Sequence, residues 1–199
     1  MKLHIAILAA GNSSRLGQPK QLISWQGETL IKRICQTALA LEEHKALITT
    51  IEVILGANTE AIQKEVEPLK VQLTYNKHWS EGMASSVRLA AQQAIKINAD
   101  CLLFLLSDQP YVDTNLLNRL ISAYLASGSN IVISDYGNSW GVPLLLGREY
   151  FEELLSLAGN RGARSIAQKH LPNVKKVTFP EGKIDIDTPE DLANLQKTS

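Results

Sequence analysis

Apolar residues fall along this chain in two alternating periods. Leu3–Leu8 is a short aliphatic run that reads as a strand, and residues 9–20 follow as a long polar, glycine-bearing loop. Leu30, Ile31, Ile34, Ala38 and Leu41 then recur at helical spacing, which predicts a helix over 29–42. Residues 47–55 predict the next strand, 59–66 a short helix and 71–75 another strand. Val87, Ala90, Ala91, Ala94 and Ile95 mark a helix over 83–97. Cys101–Leu106 is uninterrupted apolar sequence, the pattern of a strand covered on both faces. A helix follows, marked by Leu116, Leu117, Leu120, Ile121, Tyr124 and Leu125. Strands near 131–134 and 142–146, helices near 148–157 and 163–169, and a strand near 174–179 continue the rhythm. Thr188-Pro189-Glu190-Asp191 has the form of a helix start, with a hydroxyl cap, proline at the first helical position and acids in the first turn.

This βαβα succession predicts an α/β fold: a mostly parallel sheet with helices on both faces. No linker, internal repeat or low-complexity tract interrupts it, so residues 1–199 are expected to form a single domain. Sheets of this kind bind ligands at the carboxyl ends of their strands.

Composition narrows the picture. The 199 residues are 45% hydrophobic and 20% charged, both near the globular average, which excludes global disorder. Twenty Lys+Arg balance 20 Asp+Glu, so there is no basic excess for a polyanion and no nucleic-acid partner is expected. No apolar run approaches the roughly 18–20 residues of a membrane span. The opening MKLHIAILAAG imitates a signal peptide, but its apolar run, Ile5–Ala10, is shorter than the ~7–15 residues of a signal core and fits a buried first strand better. The two cysteines, Cys35 and Cys101, lie in apolar segments without metal-binding spacing and read as buried free thiols of a cytoplasmic protein. The four histidines are scattered, with no zinc or haem spacing.

The informative segment is LAAGNSSRLGQPKQL, Leu8 to Leu22, between the first strand and a helix. Gly11 and Gly17 free the backbone, and Ala9, Ala10, Ser13 and Ser14 let a ligand approach the main chain. Successive amides in such a loop can cradle an anion, and Arg15 and Lys20 add fixed positive charge. The chemistry suits a nucleoside triphosphate. The spacing is neither that of the P-loop nor that of the dinucleotide-binding glycine motif.

The segment resembles the signature of nucleotidyltransferases with an LxxGxSxRxG…K loop, and within them the molybdenum cofactor cytidylyltransferases, the MocA-like group. Four further segments support the resemblance in the same order: NKHWSEGMASS (76–86), LSDQP (106–110), GNRGARS (159–165) and IDIDTPEDL (184–192). Together they extend over nearly the whole chain. The resemblance implies a single-domain Rossmann-like three-layer sandwich of the nucleotide-diphospho-sugar transferase type. It implies that a phosphate on the molybdenum cofactor attacks the α-phosphorus of CTP, giving the cytosine dinucleotide and pyrophosphate, with Mg²⁺ as cofactor. It leaves room for transient contact with a molybdoenzyme or its chaperone.

By the same resemblance Leu8, Ala9, Ala10 and Gly11 contact the nucleotide, and Arg15 and Lys20 hold the triphosphate as catalytic cations. Gly82, Ser85 and Ser86 match positions that recognise base and ribose, although an ordinary helix N-terminus would also explain them. Asp108 and Asp187 match the metal positions, with Asp185 the less favoured ligand. Either could instead cap a helix: Asp108 the one near Thr114, Asp187 the last one. Asn76, Gly141, Pro143, Gly162 and Arg164 are expected in loops facing the acceptor, and Trp79 or Trp140 could stack on a pterin or simply cover the core. Ser107 stands where Cys or Ala is frequent, and Val142 is apolar where a polar residue is common.

The guanylyltransferase sister pattern reads LAGG…DK, whereas this chain has Ala10 and Pro19 at the distinguishing positions, which favours CTP over GTP. Three alternatives stay open: a GTP-dependent guanylyltransferase, a nucleotidyltransferase for another small phosphate acceptor, and a noncatalytic molybdopterin carrier.

Overall fold

The computed structural model describes residues 1–14, 16–41, 44, 46–184, 186 and 190–191. Strand β1 (Leu3–Leu8) leads through the long loop into a small hairpin, β2 (Ser24–Trp25) and β3 (Glu28–Thr29). Then come α1 (Leu30–Leu39), β4 (Ile48–Leu55), α2 (Thr59–Val66), β5 (Gln72–Tyr75), α3 (Met83–Lys96) and β6 (Cys101–Leu106). The second half holds α4 (Thr114–Ser127), β7 (Ile131–Asp135), β8 (Trp140–Gly147), α5 (Phe151–Leu155), α6 (Arg164–Lys169) and β9 (Val174–Thr178).

Seven of these strands form one sheet in the order β5-β4-β1-β6-β8-β7-β9. All neighbours pair parallel except β8, which runs antiparallel to both β6 and β7. The expected three-layer α/β arrangement is therefore present. Leu3, Ile5 and Ile7 point into a core shared with α1, α2 and α4, while Ala6 and Phe104 point into a second core shared with α3, α5 and α6. β1 and β6 are central and covered on both faces, which is why their sequences run apolar without alternation.

Element ends depart from expectation where local chemistry intervenes. The helix expected from 29 starts at Leu30, because Thr29 is extended and pairs with Ser24 in the unforeseen hairpin. Its two-residue turn, Gln26-Gly27, has both residues at positive φ (52° and 87°), the primed geometry that suits hairpins. The helix expected over 148–157 is a 3-10 turn, Arg148–Tyr150, followed by the five residues of α5. α4 is capped by Asp113, whose carboxylate accepts from the Leu116 amide at 2.8 Å. Asp108 therefore does not cap it. The expected last helix start at Thr188-Pro189 lies outside the described residues. No described helix is long and apolar enough to cross a membrane.

Candidate active site

The carboxyl ends of β1 and β6, the loop after β1 and the start of α3 frame a cleft of about 370 Å³. Its walls include Leu8, Ala10, Gly11, Asn12, Lys20, Gln21, Trp79, Gly82, Met83, Ser86, Ser107, Asp108 and Asn160. The size suits a small-molecule ligand, and the edge is the one at which such sheets bind them.

The loop after β1 is held by its carbonyl groups. The Ala9 carbonyl accepts from Gln21 Nε2 at 3.1 Å, and the Ala10 carbonyl from the Ala57 amide at 3.1 Å. The Gly11 carbonyl accepts from Gln21 Nε2 at 3.0 Å and from Asn58 Nδ2 at 3.5 Å. Among the described residues the amides of Ala10, Gly11 and Asn12 have no protein acceptor. All three residues line the cleft. With carbonyls satisfied and amides open, the loop has the geometry that can cradle an anion. A Cβ on Gly11 would meet nothing within 4 Å, so the glycine leaves open space above the loop. Ala10 is held on its other side by Gly56, where a Cβ would lie only 2.7 Å from the Ala10 methyl.

Lys20 enters on a 3-10 turn, Lys20–Leu22, that docks on the same loop through its amide to Ser13 Oγ at 3.0 Å. Its ammonium donates to Asp108 Oδ2 in a close ion pair. Asp108 follows β6 and is buried at the cleft floor. Beside it, Ser107 Oγ donates to the Leu8 carbonyl at 3.2 Å and ties the ends of β1 and β6 together. Resting cation and carboxylate thus neutralise one another, a pairing the sequence did not announce.

The opposite wall is the N-terminus of α3. Gly82 has φ +106°, and a Cβ there would lie 2.6 Å from the Gly159 carbonyl oxygen, so this position requires glycine. Ala84 donates its amide to that same carbonyl at 3.0 Å, and a Cβ on Gly162 would lie 2.7 Å from Met83 Sδ. The 159–162 turn is therefore packed against the start of α3, which carries Asn160 into the cleft wall. Asn76 is buried behind this wall. Its Nδ2 donates to Ser85 Oγ at 2.8 Å and Ser86 Oγ at 3.0 Å, and its Oδ1 accepts from the His78 amide. Ser85 Oγ donates a hydrogen bond to the Gly82 carbonyl at 2.9 Å. Among the described residues the Ser86 hydroxyl hydrogen has no protein acceptor, and Ser86 lines the cleft as a donor.

Of the residues singled out from the sequence, Leu8, Ala10, Gly11, Lys20, Gly82, Ser86 and Asp108 come together in this cleft. Ala9 and Ser85 support it from behind. Asn76 is a buried strut rather than an acceptor-facing loop residue, because its amide is spent on the two serines. Gly141 and Pro143 are buried inside β8, not in a loop, because the strand already begins at Trp140. Arg164 is exposed and stacks on the Trp140 ring with its guanidinium 4.8 Å from the centroid. Arg15, Asp185 and Asp187 lie outside the described residues.

Gln21 and Asn160 are cleft residues that the sequence reading missed. The available signal for Gln21 was its place directly after Lys20, and for Asn160 its place inside GNRGARS. The two cysteines are far from this chemistry: burial pushes both thiols up to about 12.

As a Mg²⁺ site the donor set fits in kind. Mg²⁺ takes one or two carboxylates and fills its remaining positions with phosphate and water, and Asp108 offers one carboxylate beside the phosphate cradle. Among the described residues no cluster of three or more His, Cys, Asp or Glu forms an all-protein metal cage.

The sequence matches the model of the MobA-like NTP transferase domain over residues 5–174. Nicotine blue oxidoreductase of Paenarthrobacter nicotinovorans is 33% identical over 121 residues, covering 59% of this chain and 55% of that protein. The purine catabolism protein PucB of Bacillus subtilis (strain 168) is 27% identical over 197 residues, 96% of this chain and 94% of PucB. The crystal structure of Rv0371C of Mycobacterium tuberculosis H37Rv in complex with manganese is similar with a TM-score of 0.77 at 22% identity, covering 100% of both chains. At that identity the likeness speaks for the fold alone.

Proposed function

The chain belongs to the MobA-like NTP transferase domain family, and from that premise we propose that it transfers CMP from CTP to the phosphate of the molybdenum cofactor. The observation that carries this reading is the cradle: three cleft-lining amides without acceptors among the described residues, beside the Lys20–Asp108 pair.

In the proposed reaction the amides of Ala10, Gly11 and Asn12 bind triphosphate oxygens. Lys20 exchanges Asp108 for phosphate and balances charge on the departing pyrophosphate, as positioned cations do in phosphoryl chemistry. Arg15 is assigned the same task from the sequence. An oxygen of the acceptor phosphate attacks the α-phosphorus, the bond from that phosphorus to the bridging oxygen breaks, and pyrophosphate leaves. Asp108, with Asp187 from the sequence, would hold Mg²⁺, which when bound supplies charge neutralisation between phosphate oxygens.

Ser86 offers its hydroxyl proton toward the base, and the acceptor atoms O2 and N3 of cytosine suit such a donor. Ala10 and Pro19 stand where the guanylyltransferase pattern has Gly and Asp, which supports CTP as the nucleotide, although the Ala10 methyl itself packs against Gly56. Arg164 and the Trp140 face on which it stacks are assigned to the acceptor, as is Gly162, which is packed on Met83. The reaction is assigned to the cytoplasm, with transient contact to a molybdoenzyme or its chaperone.

A matrix of four nucleoside triphosphates against phosphate-bearing acceptors, read by pyrophosphate release, tests the proposal. It predicts release only with CTP and molybdenum cofactor together. Release with GTP instead selects the guanylyltransferase reading, and no release in any combination leaves the carrier reading.

A further inference from the structure

Resting on the nucleotide-binding reading of the cleft, we propose that Gln21 is a positioning residue that sets the phosphate cradle and through it the affinity for the nucleotide. Gln21 is 1% exposed. A carboxamide removed from water must find partners inside the protein, and those partners reveal what it holds. Among the described residues, every hydrogen bond of this side chain goes to the loop after β1. Its Nε2 donates to the Ala9 and Gly11 carbonyls, and its Oε1 faces the Ser13 hydroxyl at 3.5 Å.

The peptide plane turns these two bonds into a property of the cleft. In a planar trans peptide the carbonyl of one residue and the amide of the next point in opposite directions. Fixing the Ala9 carbonyl toward Gln21 therefore aims the Ala10 amide away from it. Fixing the Gly11 carbonyl does the same for the Asn12 amide. Ala10 and Asn12 both line the cleft, and among the described residues neither amide has a protein acceptor. One buried carboxamide thus aligns two amides on the same side of the loop. Without it, the Ala9 carbonyl would lose this donor and the Gly11 carbonyl would keep only Asn58 Nδ2 at 3.5 Å, and a peptide that flipped would turn its oxygen toward the phosphate in place of the amide. The same residue neighbours Lys20 on the 3-10 turn, so the cation and the cradle are set by one short segment.

Two variants test this in the full-length chain, with Mg²⁺ and CTP as the probe and calorimetric binding as the main readout. Gln21→Leu keeps bulk but donates nothing. It should weaken CTP binding by about 10–100-fold, the effect of a buried donor pair removed from two carbonyls, and raise KM far more than it lowers kcat. Gln21→Glu places a carboxylate against the two carbonyl oxygens at pH 8, and should lose affinity similarly. When protonated its carboxyl donates to one of them. The affinity ratio of parent to Gln21→Glu should therefore narrow as pH falls from 8 to 5.5, whereas the ratio of parent to Gln21→Leu should stay constant.

A residue that merely stabilises the fold would not give affinity recovered by acid. A Gln21→Leu protein that binds CTP as the parent does overturns the proposal. If Gln21→Leu does not fold, Gln21→Glu decides alone, and a pH-independent ratio overturns it. A parent that binds no nucleoside triphosphate sinks the reading beneath it as well, which separates the two failures.

Discussion

Removing Lys20 should cost stability as well as chemistry. Its ammonium is paired with Asp108, and the two side chains are 20% and 9% exposed. Unit charges about 4 Å apart attract by about 4 kcal/mol at an effective dielectric of about 20, and by about 1 kcal/mol in bulk water. The open cleft places this pair between those limits, and desolvation of both groups takes back part of the attraction. A coupling of about 1–3 kcal/mol follows. Lys20→Met takes the ammonium from the buried Asp108 carboxylate, and Asp108→Asn takes that carboxylate from the ammonium. The double variant carries neither charge, so in urea unfolding it should be more stable than the sum of the single losses predicts, by that same 1–3 kcal/mol. Turnover should behave differently. Both groups are assigned to the reaction, so pyrophosphate release should fall in all three proteins and stay low in the double variant. Stability restored without activity is the signature of a resting pair that parts for substrate. Strictly additive stability losses would refute the coupling, and restored turnover in the double variant would refute the catalytic assignment.

Gly82→Ala should destabilise the protein by about 2–4 kcal/mol in chemical denaturation, since positive φ and contact with the Gly159 carbonyl add; a loss below about 0.5 kcal/mol would contradict the packing described. Burial puts both thiols near 12, so a thiol reagent at pH 8 should label neither Cys35 nor Cys101 in the folded protein and both after denaturation; rapid labelling in the native state would overturn this. Burial raises the Glu153 carboxyl, but hydrogen bonds from His170 and Lys169 outweigh it and hold the group below its usual value. That contribution is present above the unfolded carboxyl value of about 4.3 and is lost as pH falls through the folded value, so Glu153→Gln should flatten the acid limb of a stability–pH curve. An unchanged limb would count against the pairing. Arg164→Ala should raise KM for the acceptor while leaving CTP binding within about twofold; an equal loss for both substrates would remove its acceptor role.

Much of the architecture was legible because the central strands are buried on two faces. Leu3–Leu8 and Cys101–Leu106 carry continuous apolar sequence, and only a covered strand needs it. The β2–β3 hairpin escaped because two-residue strands carry no periodicity, although Gln26-Gly27 is the kind of pair that turns one. The reversed direction of β8 is set by its pairing with β6 and β7, which no local pattern encodes. In the site, glycine and small residues announced the cradle because they leave room for a ligand. What they could not announce was the support beneath it. Gln21 reads as an ordinary polar residue and Asn76 as an acceptor-facing one, and the importance of both lies in burial and in which atoms they meet. The pairing of Lys20 with Asp108 spans 88 positions and belongs to the fold, not to either motif.

The central claim is that this cleft joins the α-phosphorus of CTP to the phosphate of the molybdenum cofactor. The most direct measurement follows that phosphorus. CTP labelled at the α-phosphate is incubated with protein, Mg²⁺ and molybdenum cofactor, and the products are separated and weighed. The account predicts label in a dinucleotide whose mass is the cofactor plus CMP, with unlabelled pyrophosphate in equal amount, and loss of both with Lys20→Ala. Label that stays in CTP while α-labelled GTP is transferred, or label that reaches no acceptor at all, would contradict it.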